Sequence, residues 1–415
     1  MEHGAAASPP ASAIGWVVCL LGAAVVALGL YLAVRSEVDP AIAALAVMLA
    51  GLSPAIMFDG TAVLARSWRE RGWRFERERV LVKIVGTIVA SVLIGGAVAI
   101  FPFFHRDEFA ALAEAAPLWA PAVAIAALVY VVFADALLRE PLDGLYALGA
   151  LALGRPSDRN ALNNFLRTQI VKLFFFPLML LYCASDIAFF REVAAPFQPF
   201  QSMGDFEWFN RLLFAGDVAL SGMGYLATLR LFNWDVREAE PTLQGWVVCL
   251  ICYEPFFPAV ERAFLAYRSS EQGSGIPTDS FAHAPWIAAI LAFNAIYLSA
   301  TIAFGPLFSN LTRRAIITSG PYRYTKHPAY LAKNIGWWLY STPYFLGGSF
   351  ASALRGAAML AGVSAIYFAR ARCEERTLRH DPVYRAYSAY IAEHGIFAHV
   401  RRALRLPSKN YESVE

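Results

Sequence analysis

The stretch 14-IGWVVCLLGAAVVALGLYLAV-34 carries no charged residue. A run of about 20 apolar residues is long enough to cross a bilayer as a helix. It lacks the positively charged start of a secretory signal, and further runs of the same kind follow it. The rest of the chain agrees. Of its 415 residues, 58% are hydrophobic and 16% charged, and the mean hydropathy is +0.47. Soluble domains carry about 25% charged residues. The sequence therefore predicts an all-α polytopic membrane protein. Ten transmembrane helices are expected, with cores near 14–34, 41–58, 84–104, 118–138, 170–190, 212–232, 245–267, 285–306, 329–347 and 354–370. The apolar segment 143–153 is too short to span and reads as interfacial or re-entrant.

Charge placement orients these spans, because cytoplasmic loops are enriched in Lys and Arg. With the N-terminus cytoplasmic, 27 of the 35 Lys and Arg fall in segments 59–83, 139–169, 230–243, 309–333 and 370–415. The opposite loops hold only Arg35, Arg106, Arg191 and Arg268. A multi-pass protein with both termini cytoplasmic follows. The Arg-rich loop 66–79 reads as an anchor on anionic lipid, and a nucleic-acid partner is not expected beside a membrane. The five cysteines suggest no disulfide framework. Cys249 and Cys252 form a CxxC inside an apolar segment and read as two buried hydrophobes, so no metal site is expected. The loop-like stretch 191–210 marks a boundary. Residues 1–200 form an N-terminal transmembrane extension, and residues 205–415 form the C-terminal unit.

Ionisable groups inside spans face protein or a cavity. Asp135 and Lys172 lie near span ends and are placed to snorkel. Asp186 and Asp217 lie deeper, with no intramembrane cation to match them, and read as packing groups. Glu254 sits in 252-CYEPFFPAVER-262 with Pro255 and Pro258, which break the helix and free its carbonyls. A broken helix with a carboxylate suits the wall of a substrate pocket.

The densest chemistry lies in 319-SGPYRYTKHPAYLAKNIGWWLY-340. Gly320-Pro321 marks a turn, and Pro328 suits the first helical position. His327 then falls near the helix N-cap, and His327, Tyr330, Asn334 and Trp337 or Trp338 share a face at steps of three and four. Beyond the next span, 370-RARCEERTLRHDPVYRAYSAYIAEHG-395 supplies Arg370, Glu374, Glu375 and a cytoplasmic amphipathic helix with repeated tyrosines. Arg370 and Glu374 are four apart and placed to meet on a helix. Spans nine and ten form a hairpin, so the two motifs converge. Aromatics attract a cation, and carboxylates accept an ammonium or a ribose hydroxyl. S-adenosylmethionine carries all of these groups. Interfacial anchoring of the hairpin by Tyr and Arg explains about half of the same residues.

The segment 309-SNLTRRAIITSGPYRYTKHPAYLAKN-334, followed by Glu374-Glu375, resembles the isoprenylcysteine carboxyl methyltransferase and phospholipid methyltransferase superfamily. That signature runs approximately G-P-Y-R-Y/H-x-R-H-P-x-Y, a hydrophobic hairpin, E-E, and a Tyr-rich tail. The stretch 233–256 is similar to bacterial members, and the resemblance covers about 230–405. It implies an S-adenosylmethionine-dependent methyltransferase acting on a membrane lipid or lipidated acceptor, in a bacterial inner membrane. It implies cofactor contacts from Tyr322, Arg323, Tyr324, His327, Pro328, Tyr330, Leu331, Glu374 and Glu375. Arg370 and Glu375 are the expected catalytic residues. Asn334, Trp337, Trp338 and Glu254 are expected to line the acceptor path, with a carboxylate as the expected acceptor. Two positions depart from the signature: Lys326 stands for the usual Arg, and Ala332 for a common Gly. The competing readings are an NADPH-dependent membrane reductase of the sterol-reductase type and a non-catalytic scaffold or transporter. The Glu pair disfavours the first, since a 2′-phosphate prefers Arg or Lys.

Overall fold

A computed structural model describes residues 8–193, 203–265, 280–346 and 349–405. The boundary loop 194–202 and Arg268 lie outside the described residues. The helices are α1 (Trp16–Arg35), α2 (Pro40–Arg71), α3 (Arg77–Ile100), α4 (Ala110–Leu137), α5 (Gly144–Ala152), α6 (Arg159–Glu192) and α7 (Met203–Leu226). They continue as α8 (Leu243–Leu250), α9 (Phe257–Val260), α10 (His283–Phe304), α11 (Pro328–Leu346), α12 (Phe350–Leu378), α13 (Pro382–His394) and α14 (Ile396–Ala403). Local chemistry sets several starts. Asp39 accepts from the amides of Ala41 and Ile42 ahead of Pro40, and Asp158 does the same for Asn160 and Ala161.

Seven helices among the described residues are long and apolar enough to cross a membrane: α1, α2, α3, α6, α10 and α12, with Asp107–Leu137 around α4. The chain is thus an all-α polytopic membrane protein. Three expected spans fall outside this set, for physical reasons. The segment 245–267 is not one helix; α8 stops at Leu250, a turn follows, and α9 begins beside Pro258. α7 and α11 are 24 and 19 residues long but diluted by polar groups. Those of α7 include Asn210, Arg211 and Asp217; those of α11 include Lys333 and Asn334. The short apolar segment forms α5, a nine-residue helix packed against α3 and α6. α3 and α5 touch backbone to backbone: a Cβ on Gly86 would lie 2.1 Å from the Leu145 carbonyl oxygen, and one on Gly149 1.9 Å from that of Val82.

Asp135, Lys172, Asp186 and Asp217 each have a polar partner. Asp135 is buried and paired with Arg79 at 2.7 Å and Lys83 at 3.1 Å, so it does not snorkel. The Lys172 ammonium donates to the Thr228 hydroxyl at 2.8 Å. Asp186 does have a cation, Arg211 at 3.6 Å on α7. Asp217 accepts hydrogen bonds from Thr301 and, at 3.1 Å, from Tyr297.

Polar contacts gather the five Lys/Arg-rich segments at one end of the bundle. Arg155 pairs with Glu78 at 2.7 Å, and Arg230 with Asp143 at 2.7 Å. Arg313 reaches both Glu238 at 3.3 Å and Asp381 at 3.4 Å. Two short strands, β1 (Glu238–Ala239) and β2 (Thr312–Arg313), pair antiparallel at the same end. One buried apolar cluster runs from Ile14 and Val26 through Phe175 and Leu220 to Ile317 and Tyr387, spanning both sides of residues 200–205.

Candidate active site

The loop between α10 and α11 is built from its backbone outward. Arg314 is buried and donates to the carbonyls of Gly224 at 2.8 Å, Ala227 at 2.9 Å, Phe308 at 3.2 Å and Trp234. Burial pushes its guanidinium down to about 9, which leaves it charged at neutral pH. The N-terminal segment closes over the next residues: the Ala13 amide donates to the Ile316 carbonyl at 3.2 Å, and the Thr318 hydroxyl to that of Pro10 at 2.7 Å. Gly320 takes φ +58°, and a Cβ there would meet the Trp16 ring at 2.8 Å. On the other side α13 packs down. The Tyr387 hydroxyl donates to the carbonyls of Tyr322 at 2.7 Å and Thr325 at 3.2 Å. Burial raises the phenols of Tyr322 and Tyr387 well above their ordinary value, so the Tyr387 hydroxyl keeps the proton it donates.

This scaffold joins the two sequence motifs. His327 Nε2 lies 3.0 Å from Glu375 Oε1, and Lys326 Nζ 2.7 Å from the same oxygen. The Tyr330 hydroxyl donates to Glu374 Oε1, and His327 Nδ1 lies 3.9 Å from Glu374 Oε2. The His327 and Tyr330 rings stack at 5.7 Å. Glu375 is thus engaged by two basic groups, and its side chain is only 13% exposed. Glu374 is 47% exposed and keeps acceptor capacity toward a ligand. Lys326 uses its point charge here, so the Arg-to-Lys departure retains the ion pair.

Arg370 does not pair with Glu374, as the i,i+4 spacing suggests. It turns inward, donating to Asn310 Oδ1 at 3.2 Å, with its guanidinium 5.2 Å from the Tyr330 ring and 5.8 Å from that of Tyr253. Asn310 is held in turn by the hydroxyls of Tyr225 at 2.9 Å and Tyr253 at 3.1 Å. Arg370, Asn310, Tyr253 and Tyr330 line a cavity of about 200 Å³ that reaches Glu374, His327 and Tyr367.

Among the residues expected from sequence, Tyr322, His327, Tyr330, Arg370 and Glu374 line this cavity. Pro328 and Leu331 lie off its wall, and the backbone of Leu331 continues α11 by donating to the His327 carbonyl at 3.0 Å. Arg323 and Tyr324 point to the exterior. Glu254 is exposed and off the cavity; its neighbour Tyr253 faces in. Asn334 donates to its own helix at the Tyr330 carbonyl, 2.8 Å away. Trp338 bonds the Ser364 hydroxyl of α12 at 3.1 Å. Trp337 lines a second cavity of about 550 Å³. Sequence reasoning did not assign Asn310, Tyr253, Tyr367 or Lys333. Among the described residues no cluster of His, Cys, Asp and Glu is arranged to hold a metal.

No curated protein and no solved structure matches the chain. Residues 285–380 hold α10, the Gly320–Pro328 turn, α11 and α12 through Glu374 and Glu375, and this segment matches the family model of the isoprenylcysteine carboxyl methyltransferase (ICMT) family.

Proposed function

We propose that this protein is an S-adenosylmethionine-dependent methyltransferase of the membrane, acting on a lipid-borne carboxylate at its cytoplasmic end. The observation that carries the reading is Glu374. It is held in place by Tyr330 yet half-exposed, at the rim of a cavity walled by tyrosines and Arg370. The donor set fits the cofactor. A carboxylate accepts its hydroxyl or ammonium groups, and the rings of Tyr253, Tyr330 and Tyr367 suit its adenine and its positive centre. The bound cofactor would supply an electrophilic methyl group.

The remaining work falls to side chains. Lys326 and His327 neutralise Glu375 and fix the start of α11. Arg370, anchored by Asn310, presents a cation inside the cavity and would align an acceptor carboxylate. A carboxylate brings its own lone pair, so no base is required; orientation and exclusion of water supply the rate. The family match supports methyl transfer over the reductase and scaffold readings.

The test is a titration of purified protein with S-adenosylmethionine and, separately, NADPH. Binding of the first alone, weakened by Glu374→Gln, is expected. Binding of NADPH alone would replace the proposal with a reductase, and binding of neither with a scaffold. Radiolabelled methyl transfer to extracted membrane lipids then identifies the acceptor.

A further inference from the structure

The family match begins at residue 285, yet the turn at the centre of the site is held by residues far outside it. The segment ahead of α1 runs along residues 316–320 as a strap. Ser12 is its hub: its Oγ accepts from the Thr318 amide at 3.3 Å and from the Ser319 hydroxyl at 3.3 Å. On either side of it, the Pro10 carbonyl and the Ala13 amide bond Thr318 and Ile316. The strap is itself anchored. Ile14 is 2% exposed and joins the large apolar cluster. Cys19, one turn into α1, donates from Sγ to the Ala303 carbonyl at 3.6 Å, and its sulfur lies 3.0 Å from where a Cβ on Gly305 would stand. The start of α1 is thereby pinned to the end of α10, which leaves the Trp16 ring over Gly320.

From the strap, two short paths lead into the site. Ile316 and Ile317 line the first cavity. Tyr322 follows Gly320 in the turn; it is buried, lines the same cavity and sets its ring edge-on to Phe304 at 5.2 Å. The turn then runs into Lys326 and His327, which hold Glu375. Its far side is gripped by Tyr387 and by the Ile396 amide, which donates to the Tyr324 carbonyl at 2.8 Å. A turn that starts on a glycine at positive φ has much backbone freedom to lose. Fixing it from both sides removes that freedom before a ligand arrives, which raises affinity without adding a contact.

We propose that residues 10–16 are a positioning strap for the cofactor turn, with Ser12 and Trp16 as its positioning residues. They hold Gly320–Tyr322 in the shape that binds the cofactor and so set cofactor affinity. The start of the N-terminal extension is then a working part of the C-terminal site. The assignment rests on the methyltransferase reading for the identity of the ligand; the strap's hold on the turn does not depend on it. By linkage, a ligand that favours the ordered turn tightens the strap as much as the strap tightens the ligand. Packing that served stability alone would show no such response.

The test is amide hydrogen exchange, read by mass spectrometry on the full-length protein in nanodiscs with and without S-adenosylmethionine, beside a binding titration. In the wild type the cofactor is expected to slow exchange in peptides covering residues 10–19 as well as 316–327, a readout that requires no variant to fold. Ser12→Ala is expected to speed exchange across 320–327 without ligand and to weaken cofactor binding about fivefold, the worth of one net hydrogen bond. Ser12→Thr, which keeps the hydroxyl, is expected to restore both. Thr318→Val removes the bond to Pro10 from the opposite partner and is expected to act as Ser12→Ala does. Cofactor binding with no change in exchange at 10–19, or wild-type affinity in both Ser12→Ala and Thr318→Val, overturns the proposal. Exchange at 320–327 that stays unchanged in unliganded Ser12→Ala overturns it as well. Faster exchange there, in a protein whose wild type binds no S-adenosylmethionine, keeps the strap's hold on the turn and overturns the methyltransferase reading instead.

Discussion

Arg370 shows how much one side chain contributes by its shape as well as its charge. It donates to Asn310 while lying against two tyrosine rings, an arrangement that uses the flat face of a guanidinium and its directed N–H groups together. Lysine keeps the charge and loses both features. Arg370→Lys is therefore expected to cut turnover by about 10- to 100-fold, the worth of about 1.5–3 kcal/mol for a hydrogen bond to a charged group. On the proposed reading, in which Glu374 holds the cofactor, cofactor affinity is expected to change little. Steady-state kinetics beside a binding titration checks this, and equal loss in both would place Arg370 in cofactor binding. At this scale the sequence was informative where a motif joined residues and misleading where a lone charge drew attention. The pairs His327–Glu375 and Tyr330–Glu374 follow from helix spacing and a hairpin. Glu254 looked like a pocket residue because of its prolines, but the turn those prolines create carries it outward and brings Tyr253 in. Asn310 left no signal, since a loop asparagine acquires its role only when Tyr225, Tyr253 and Arg370 converge on it.

Among the elements, apolar runs located the seven clearest spans, because hydrophobic length alone decides them. The elements that build the cavities were harder to read. α7, α8 and α11 trade apolar length for polar groups or a break, which is what lining a cavity requires. Close helix contact was also hidden, because a glycine in a span has no signature of its own. The crossing of α3 and α5 depends on it: a methyl on Gly149 would lie 1.9 Å from the Val82 carbonyl oxygen, with backbone rather than a movable side chain opposite. Gly149→Ala must push the two helices apart and loosen the ion pairs of Asp135 with Arg79 and Lys83 nearby. Overpacking of this kind costs about 1–3 kcal/mol. A lower thermal midpoint of the detergent-solubilised protein is expected, and an unchanged midpoint would mean that the helices separate without cost.

For the whole molecule, sequence and structure agree on which segments share an end of the bundle. Counting Lys and Arg assigns five segments to the cytoplasm, and the folded chain ties those same five together through Arg155–Glu78, Arg230–Asp143, Arg313–Glu238 and Arg313–Asp381. The first is a statement about loops taken one at a time; the second depends on the path of every helix. An odd number of crossings between two of these segments would have left them at opposite ends, so their convergence constrains the broken α8–α9 segment to return the chain correctly. The candidate active site sits at this basic end of the bundle. The polarity is testable in spheroplasts with a membrane-impermeant maleimide. Cys19, Cys183, Cys249 and Cys373 are buried, and Cys252 is half-buried, so a Cys252→Ser background should label weakly. Asp107→Cys, in the turn before α4, is expected to react in intact spheroplasts. Pro156→Cys, in the exposed loop after α5, is expected to react only after permeabilisation. The reverse pattern would put Glu374 and the basic segments on the outer face, away from any cytoplasmic pool of S-adenosylmethionine, and the methyltransferase reading would lose its cofactor supply.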